Sequence, residues 1–280
     1  MLDVRVDAGE LARGGDVHGR VLVHPGGTSA NAAVWGAWSG ADAGVIAAVG
    51  DDLAGRLLVA SLAERGVDVS GVRQVAGTAT GTMLVVHEAG ERSMVADRGA
   101  NARLLASELP ETLDAASVLV SGYLLLQGDT RDAGTEAIRR ARSTWVTVET
   151  ATWPLIEAAG VDRFHQLAEG ATAILANERE ARALTGLAPA EAAKALGERY
   201  RLACVKRGAE GAVMVLDGIE HRSIAAPVDE RDPTGAGDAF DGVLLGWLAS
   251  GRAPEEALDA ACRAGALVAG SGSTWPEGAA

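Results

Sequence analysis

Short apolar strands alternate with helices from about Leu104 to the end of the chain. Strand candidates fall at residues 117–121, 145–148, 173–175, 203–206 and 211–216, and helix candidates at 130–142, 178–185, 189–200, 238–250 and 254–269. Because each helix can return the chain to begin another parallel strand, this order predicts a parallel sheet with helices on both faces. The fold class that follows is α/β, with a doubly wound, mainly parallel sheet sandwiched by helices.

The first hundred residues follow a different pattern, in which β-like runs are separated by glycine-rich turns. The runs fall at residues 21–23, 81–86 and 92–96, and a helix candidate at 53–65 ends at Gly66. No internal repeat, low-complexity linker or block of like charge separates these runs from the rest of the chain. We therefore expect a single domain over residues 1–280, with a small β-stranded lid formed by about residues 10–25 and 78–98.

The composition excludes several classes of protein. The 280 residues carry a formal net charge of −13, which argues against a nucleic-acid partner, and 48% of them are hydrophobic, which is enough for a sizeable core. Cys204 and Cys262 lie in apolar stretches without a CxxC partner, which indicates reduced, buried thiols. The N-terminus is too charged for a signal peptide, and no apolar stretch is long enough to span a membrane. We expect a cytoplasmic protein without a membrane partner.

The segment at residues 232–238 reads DPTGAGD and precedes a predicted helix. Apolar residues recur at helical spacing over 240–248, so the small residues 235–237 should lie at the N-terminus of that helix. Backbone N–H groups there have no helical partner and favour an anion such as phosphate. A carboxylate at Asp238 could take a proton from a hydroxyl that attacks this phosphate, or it could merely cap the helix after a tight glycine turn.

Two other nucleotide-binding signatures do not fit the sequence. No segment matches GxxxxGK[ST], since Lys194 follows Ala193 and Lys206 follows Val205, and this excludes a P-loop NTPase. The dinucleotide fingerprint requires a third small residue where Phe240 stands, which argues against a Rossmann dehydrogenase.

The same segment resembles the C-terminal signature D-x-T-G-A-G-D-x-F of the ribokinase-like (PfkB-type) carbohydrate kinases. In that family the last Asp is the catalytic base and the Gly-Ala-Gly amides form the anion hole, so the resemblance implies these roles for Asp238 and for Gly235, Ala236 and Gly237. Further elements in the family's order extend the resemblance over nearly the whole chain. It implies ATP and Mg²⁺ as cofactors and does not decide whether a monovalent cation is needed.

The resemblance also implies a set of residues on the substrate side. Gly26, Gly27 and Asn31 match the N-terminal Gly-Gly…Asn signature that contacts the sugar, although a plain turn before a helix would give the same pattern. Asn101 ends a Gly-Ala-Asn step that follows the lid. Arg98, just before that step, is either a solvated side chain or a fork for a carboxylate or phosphate of the substrate.

Asp3 matches the Asp that binds sugar hydroxyls in this family, and we expect it near the end of the first strand. Family members usually show a Gly-Asp pair a few residues before this Asp, and the pair is missing from the sequence, which starts at Met1. We therefore expect either that the natural start lies upstream or that the first strand is shortened and leaves a neighbouring strand unpaired.

Four residues are implied on the nucleotide side, namely Asn177, Lys206, Gly208 and Gly211. Asn177 begins an N-x-x-E motif whose Glu180 is implied to hold Mg²⁺ through water, although helix capping would explain both residues. Glu149, at the carboxyl end of a predicted strand, is a weaker candidate for hydroxyl recognition.

Together these residues predict the ATP-dependent phosphorylation of a hydroxyl on a sugar or sugar acid. One alternative is a nucleoside kinase of the same fold, which would need stacking aromatic residues, and only 4% of this chain is aromatic. Another is a catalytically impaired member that binds a sugar or regulates other proteins. Because an exposed β lid has an unpaired edge and an apolar face, we also expect a homodimer formed through the lid.

Overall fold

The computed structural model describes residues 1–9, 12, 14–88 and 91–276. Its strands are β1 (Leu2–Ala8), β2 (Arg20–Pro25), β3 (Ala47–Gly50), β4 (Val72–Val75), β5 (Thr82–Glu88), β6 (Glu91–Asp97), β7 (Ser117–Ser121), β8 (Trp145–Glu149), β9 (Ala173–Asn177), β10 (Leu202–Lys206), β11 (Ala212–Leu216) and β12 (Ile219–Ser223). Its helices are α1 (Thr28–Trp38), α2 (Leu53–Ala63), α3 (Gly122–Leu126), α4 (Arg131–Arg140), α5 (Trp153–Ala159), α6 (Val161–Leu167), α7 (Glu178–Thr185), α8 (Pro189–Gly197), α9 (Ala236–Ala249) and α10 (Pro254–Ser271).

The central sheet has six strands in the order β12-β11-β10-β9-β8-β7. The strands β7 to β10 run parallel, and β11 and β12 continue the sheet in antiparallel pairs. Every residue of β8 and of β11 is buried, as expected for strands that are covered on both faces. The predicted α/β class is confirmed, and the sheet is mixed because the β10–β11 and β11–β12 pairs are antiparallel.

Alternating side chains of the central strands enter two separate cores. Val146 and Val148 of β8 face one core, which includes Phe164 of α6 and side chains of α3 to α8. Trp145 of the same strand faces the other core, with Leu244 of α9 and side chains of α10. Successive side chains of a strand point to opposite faces of the sheet. The position of a residue in its strand therefore determines which of the two helix layers its side chain contacts.

The sequence pattern does not predict β3, β4 or β12. β3 and β4 pair in parallel as a separate two-stranded sheet, and Val34 of α1 and Leu62 of α2 pack around it. Each of these two strands has four residues, and β3 reads Ala-Ala-Val-Gly, so neither gives the alternation by which a strand is recognised.

A second sheet has the order β2-β1-β5-β6 and contains strands of the predicted lid segments, and we refer to it as the lid. Three of its strands fall within the two predicted segments, but β1 belongs to it as well, antiparallel to β2 and parallel to β5. The expectation that Asp3 lies near the end of the first strand is wrong, because Asp3 is the second residue of a seven-residue strand. Of the predicted lid segments, residues 10, 11, 13, 89 and 90 lie outside the described residues.

Two further expectations concern the whole chain. Cys204 and Cys262 are both buried and free, as predicted. Among the described helices, none combines the length and the apolar character needed to cross a lipid bilayer.

Candidate active site

A pocket of about 290 Å³ lies between the lid and the start of α9. Its walls come from β1, from the β2–α1 turn, from the segment after β6 and from the loop before α9. Eight of the residues singled out in the sequence line it, namely Asp3, Gly26, Gly27, Asn31, Arg98, Asn101, Gly235 and Asp238. Residues that are more than two hundred positions apart in the sequence, such as Asp3 and Asp238, therefore line one pocket.

The Asp238 carboxylate accepts a hydrogen bond from a side chain of α1. Asn31 donates an Nδ2–H to Asp238 Oδ2 at 2.7 Å, and Asn31 Oδ1 accepts the indole N–H of Trp275 at 2.7 Å. Because an indole nitrogen only donates, Trp275 fixes the orientation of the Asn31 amide. The Asn31 amide therefore links the Asp238 carboxylate of α9 to the Trp275 indole.

Asp238 is the third residue of α9 and does not act as its cap, because the helix is capped by Gly235 without a side-chain hydrogen bond. Burial raises the pKa of Asp238 to about 7, and the hydrogen bond from Asn31 opposes this effect. The nearby Asp241 carboxylate raises the pKa further and the Lys206 ammonium lowers it. A carboxylate with this pKa is a stronger base than an exposed one and is still substantially ionised at neutral pH.

The glycine turn before α9 is tightly fitted. Gly235 has a φ of 85°, in the left-handed region, and a Cβ there would overlap the Thr274 methyl group. The Ala236 N–H donates to the Pro233 carbonyl at 3.0 Å, so this one of the three amides of the motif has a partner in the turn before the helix. Gly237 lies beside Lys206, whose Nζ would be 3.4 Å from a Cβ at this position. An anion hole here would thus be formed by Gly235 and Gly237 together with the Lys206 ammonium.

Asp3 lines the same pocket from β1. A Cβ on Gly26 would overlap the Asp3 carboxylate, so only glycine permits this packing. Asp3 is buried, and its pKa is raised by burial, with the Met1 ammonium and Arg5 opposing the shift. Gly27 has a φ of 102° and its carbonyl accepts the Asn31 N–H at 2.9 Å, which starts α1 at the pocket wall.

Arg98 and Asn101, which follow β6 in the chain, form another part of the pocket wall. Arg98 is half-buried, donates to Thr130 Oγ1 at 3.1 Å and lies 3.6 Å from Asp129 Oδ2. Burial lowers the pKa of its guanidinium, with Asp129 opposing this shift. Asn101 Oδ1 is buried and has no hydrogen-bond partner within the described part of the chain. This wall therefore offers a substrate one cationic group and one free acceptor.

Lys206, at the end of β10, lies in a buried cluster of charged groups. Its Nζ donates to both carboxylate oxygens of Asp241, at 2.9 and 2.8 Å. Burial alone would lower the pKa of Lys206, but the Asp241 and Glu149 carboxylates raise it above its usual value. Burial raises the pKa of Glu149 to about 8, against the effect of the Lys206 ammonium.

Asn177 and Glu180 form the capping box that the sequence left as an alternative. Asn177 Oδ1 accepts the Glu180 N–H at 3.0 Å, and the Glu180 carboxylate accepts from the Asn177 backbone at 2.9 Å and from the Thr150 hydroxyl at 2.6 Å. Glu180 is buried, so its face of α7 is not solvated. Gly208 and Gly211 lie just beyond Lys206 and do not line the pocket, and a Cβ on Gly211 would overlap the Ser223 carbonyl.

Sequence reasoning missed several residues at the site. Tyr123 and Gln127 line the pocket from α3 and the residue after it, and Gln127 Oε1 is buried without a partner within the described residues. Trp275 contacts the site through its hydrogen bond to Asn31. None of these three belongs to a motif, and the sequence signal that could have found Tyr123 was its place just after the carboxyl end of β7.

Comparison with known proteins shows which family the chain matches. Residues 4–276 match the pfkB family carbohydrate kinase. A 2-dehydro-3-deoxygluconokinase of Thermoproteus tenax is 33% identical over 264 residues, which cover 88% of this chain and 80% of that protein. An ATP-dependent ribose-1-phosphate kinase of Halopiger xanaduensis is 32% identical over 249 residues, with 88% of this chain and 80% of that protein covered.

Among solved structures, a candidate ribokinase II of E. coli in complex with ATP and Mg²⁺ superposes with a TM-score of 0.83. The match covers 96% of this chain and 90% of that chain at 25% identity. The glycine turn, the carboxylate behind it and the lid above it occur in one chain whose sequence matches over almost its full length, and the chain therefore belongs to the pfkB family of carbohydrate kinases.

Proposed function

We propose that this kinase transfers the γ-phosphoryl group of ATP to a hydroxyl of an anionic sugar, with Asp238 as general base. The observation that supports this proposal is the position of the Asp238 carboxylate. Its carboxylate is positioned by Asn31 at the glycine-led start of α9 and lies in the wall of the same pocket as Asp3 and Asn101. A base whose pKa lies near the working pH is suited to accept a proton from the attacking hydroxyl.

Different groups of this chain would bind the sugar, accept the proton and stabilise the transferred phosphoryl group. Asp3 and Asn101 Oδ1 would accept hydrogen bonds from sugar hydroxyls and so orient the reacting hydroxyl toward Asp238. Asp238 would accept its proton as the oxygen attacks phosphorus. The Gly235 and Gly237 amides and the Lys206 ammonium would stabilise negative charge on the transferred group. Catalysis of this kind depends on alignment and electrostatics, and the lid would exclude water that could hydrolyse ATP.

The residues present fit a magnesium nucleotide. Gly237 leaves room next to the Lys206 ammonium that a side chain would occupy, which suits a phosphate. No cluster of three or more candidate ligands for a metal ion occurs among the described His, Cys, Asp and Glu side chains, so Mg²⁺ would be held mainly by phosphates and water. Glu180 would hold it through water, and the metal would neutralise charge on the phosphates.

Arg98 supports an anionic substrate. Its guanidinium lines the pocket, and Thr130 and Asp129 hold it there without enclosing it. A planar fork of this kind suits a carboxylate or a phosphate. The two curated relatives described above are named for a sugar acid and for a sugar phosphate. ADP release over a panel of sugar acids, sugar phosphates, neutral sugars and nucleosides tests the proposal, and failure with every member would indicate an impaired kinase.

Replacing Arg98 with methionine should lower kcat/KM for the best anionic substrate by about 10- to 100-fold, because a charge-assisted hydrogen bond is lost. Neutral sugars should lose less than about threefold, because they make no such bond. Arg103→Met, at an exposed position nearby, is the matched control. If the parent enzyme prefers a nucleoside and Arg98→Met changes nothing, the substrate class proposed here is wrong.

We also propose that two copies associate through the lid. The register places Val4, Val23, Leu84 and Val95 side by side on one face of the lid sheet. Val23 is 52% exposed and Val95 is 65% exposed, so this apolar face is largely open in the single chain. Both outer strands, β2 and β6, also have an unpaired edge among the described residues. A two-fold contact between lids would bury both features.

The double substitution Val23→Glu with Val95→Glu should convert a dimer to a monomer, because four like charges would enter one apolar contact. We expect the dimer dissociation constant to rise at least about 100-fold, as measured by light scattering over a concentration series. Ile224→Glu, at an 85% exposed position away from the lid, should leave the particle size unchanged. A parent protein that scatters as a 28.5 kDa particle at micromolar concentration would contradict the proposal.

We propose further that the enzyme needs no monovalent cation next to Asp232, at the start of the DPTGAGD segment, because the Arg5 guanidinium occupies that place. The buried Arg5 guanidinium donates to Asp232 Oδ2 at 2.7 Å, to Thr274 Oγ1 at 2.5 Å and to the Gly272 carbonyl at 3.3 Å. These are a carboxylate, a hydroxyl and a carbonyl oxygen, which are also the ligand types of a hard cation. The chain itself thus supplies the positive charge that these oxygens require.

Activity should accordingly change less than about twofold when sodium, potassium and tetramethylammonium salts are exchanged at constant ionic strength, because Arg5 already neutralises the oxygens. Arg5→Met should make the rate depend on the cation, and Arg56→Met, at an exposed position, should not. A large stimulation of the parent enzyme by potassium would show that Arg5 does not fill this place.

We propose the cytoplasm as the site of action. Two free, buried cysteines are consistent with a reducing compartment, and ATP is available there.

A further inference from the structure

The residues that follow α10 lie close to the candidate active site. The helix is capped by Gly272, which has a φ of 71°, in the left-handed region. The chain then enters the protein, where Thr274 is 3% exposed and Trp275 is 6% exposed. Segments beyond the end of a helix are poorly ordered unless contacts hold them, so burial of this degree indicates a specific place in the fold.

Several groups hold the Trp275 side chain in place. The Trp35 indole N–H donates to the Thr274 carbonyl at 2.9 Å and so anchors the backbone just before Trp275. The Trp275 ring packs with Leu62 of α2 in a small apolar core. The Arg65 guanidinium lies 4.7 Å from the centroid of the same ring, within the range of a cation–π contact. The position of the indole N–H is therefore well defined.

Two hydrogen bonds in series connect this indole to Asp238. Trp275 Nε1 donates to Asn31 Oδ1 at 2.7 Å, and Asn31 Nδ2 donates to Asp238 Oδ2 at 2.7 Å. A side-chain amide can turn over and exchange the places of its oxygen and its nitrogen. Here that turn would break both bonds, because it would bring the amide oxygen against the carboxylate and the amide N–H against the indole N–H. The indole cannot adapt, since it only donates.

The orientation of the Asn31 amide decides which form of Asp238 it stabilises. An N–H group stabilises the ionised carboxylate, whereas an amide oxygen can accept a hydrogen bond only from the protonated carboxyl. Burial raises the pKa of Asp238 to about 7, and the hydrogen bond from Asn31 opposes this rise. A residue that keeps the amide N–H turned toward the carboxylate therefore favours the form of Asp238 that can accept a proton.

We propose that Trp275 is a positioning residue for Asp238, because its indole N–H keeps the Asn31 amide in the orientation that donates to the ionised carboxylate. The role in catalysis rests on the proposed function, in which Asp238 is the general base. Trp275 does not line the substrate pocket, whereas Asn31 does. Trp275 therefore acts through Asn31 and does not bind the sugar itself.

Other titratable groups also act on Asp238. They belong to five elements, namely β1, α3, β8, β10 and α9 itself, and they are Asp3, Tyr123, Glu149, Lys206 and Asp241. None of them takes part in the two hydrogen bonds that connect Trp275 to Asp238. Because a substitution at Trp275 leaves all five residues in the chain, a change in the pKa of Asp238 would report on the Asn31 amide.

Replacing Trp275 with phenylalanine tests the proposal, since this residue keeps an aromatic ring and loses the N–H. The pKa of Asp238 should rise by about 0.5–1 unit, because the Asn31 amide can then turn its oxygen toward a protonated carboxyl. The acidic limb of kcat/KM should move to higher pH by the same amount. The loss of kcat/KM should be about 3- to 10-fold near pH 6 and less than about twofold near pH 9.

Trp35→Phe is the matched control, because it also removes a buried indole hydrogen bond, the one to the Thr274 carbonyl. It should lower Tm and move the acidic limb by less than about 0.2 unit. Asn31→Ala should raise the limb by itself, and the addition of Trp275→Phe to that variant should raise it no further. An equal shift in both tryptophan variants, or a full shift by Trp275→Phe in the Asn31→Ala protein, would overturn the proposal.

Carboxyl carbon NMR of the free protein separates this proposal from the proposed function. The Asp238 signal, assigned by its loss in Asp238→Asn, reports the pKa whether or not Asp238 is the base. If Asp238→Asn stays active while Trp275→Phe still raises this pKa, the proposed function is wrong and the link from Trp275 to Asp238 stands. An unchanged pKa in Trp275→Phe would overturn the link.

A measurement on the parent protein covers the case in which Trp275→Phe does not fold. The indole N–H proton of Trp275, assigned by through-bond NMR, should shift with the same midpoint as the Asp238 carboxyl, because hydrogen bonds in series polarise one another. The Trp35 indole proton, which is bonded to a backbone carbonyl, should not follow this titration. A Trp275 signal that stays constant through the titration of Asp238 would equally overturn the proposal.

Discussion

Replacing Asp238 with asparagine should lower kcat by about 10²–10⁴-fold, or about 3–5 kcal/mol of barrier, with little change in ATP affinity. The substitution keeps the size of the side chain, and its carbonyl oxygen can still accept the Asn31 N–H that Asp238 Oδ2 accepts at 2.7 Å. It removes the basic oxygen that would accept the proton. ATP affinity should stay constant or rise slightly, because a negative charge close to the phosphates is lost.

The control for this substitution is Asp132→Asn. Asp132 is also an acidic residue in the first turn of a helix, α4, but it is exposed and does not line the pocket. Any loss that came only from removing a charge at a helix N-terminus would appear in both variants. Turnover of the Asp238 variant within a few-fold of the parent, with the fold intact by circular dichroism, would show that Asp238 is not the base.

The same carboxylate should set the acidic limb of the pH profile. Its pKa is raised to about 7, so a falling pH protonates the base and kcat/KM should drop about tenfold per pH unit below that value. Burial raises the pKa of Glu149 to about 8, and Glu149→Gln separates the two groups. The limb near 7 should persist in Glu149→Gln and disappear from the residual activity of Asp238→Asn.

The motif around α9 could be predicted from the sequence because its information is local. Apolar spacing from Phe240 onward defines the helix, and the glycines before it define where the helix begins. The structure adds two contacts that the sequence does not indicate. It shows that the Ala236 amide is engaged with Pro233 and that Lys206, from another strand, lies beside Gly237. Hydrogen-bond partners within a tight turn depend on backbone dihedral angles, and the spacing of residue types in the sequence does not determine these angles.

Two of the long-range hydrogen bonds around the site could not be predicted from the sequence. Asn31 and Trp275 are separated by 244 positions, and Arg5 and Asp232 by 227 positions. Nothing in the local sequence around Trp275 or Arg5 indicates that either side chain contacts the motif. Both contacts arise because α1 packs on α9 and because β1 enters the lid sheet, which are consequences of topology.

The place of β1 in the lid sheet could not be predicted for a related reason. The alternation in Leu-Asp-Val-Arg-Val-Asp-Ala predicts a strand with one apolar and one polar face, but not which sheet it joins. In the lid, Val4 lies on the open face, while Asp3 and Arg5 face the body of the protein and are buried. The polar face is thus the buried one, opposite to the usual arrangement, because it forms part of the site.

The second large effect is expected at Lys206. Replacing it with methionine should lower the free energy of unfolding by about 3–5 kcal/mol, because the fully buried Asp241 carboxylate would lose its only charged partner in a described hydrogen bond. The activity of the folded fraction should fall as well, since the ammonium beside Gly237 would be missing. Urea unfolding and kcat/KM are measured on the same preparations.

Two further variants separate the structural role of Lys206 from its role at the site. Lys206→Met combined with Asp241→Leu leaves no buried charge unpaired, so it should recover most of the lost stability, since apolar replacement of a buried ion pair is often neutral. It should not recover activity, because the ammonium is still absent. Arg201→Met breaks an exposed pair with Asp217 at 2.9 Å and should cost less than about 1 kcal/mol. If the double variant regained both stability and turnover, Lys206 would serve only to neutralise Asp241, and the anion hole would consist of the Gly235 and Gly237 amides alone.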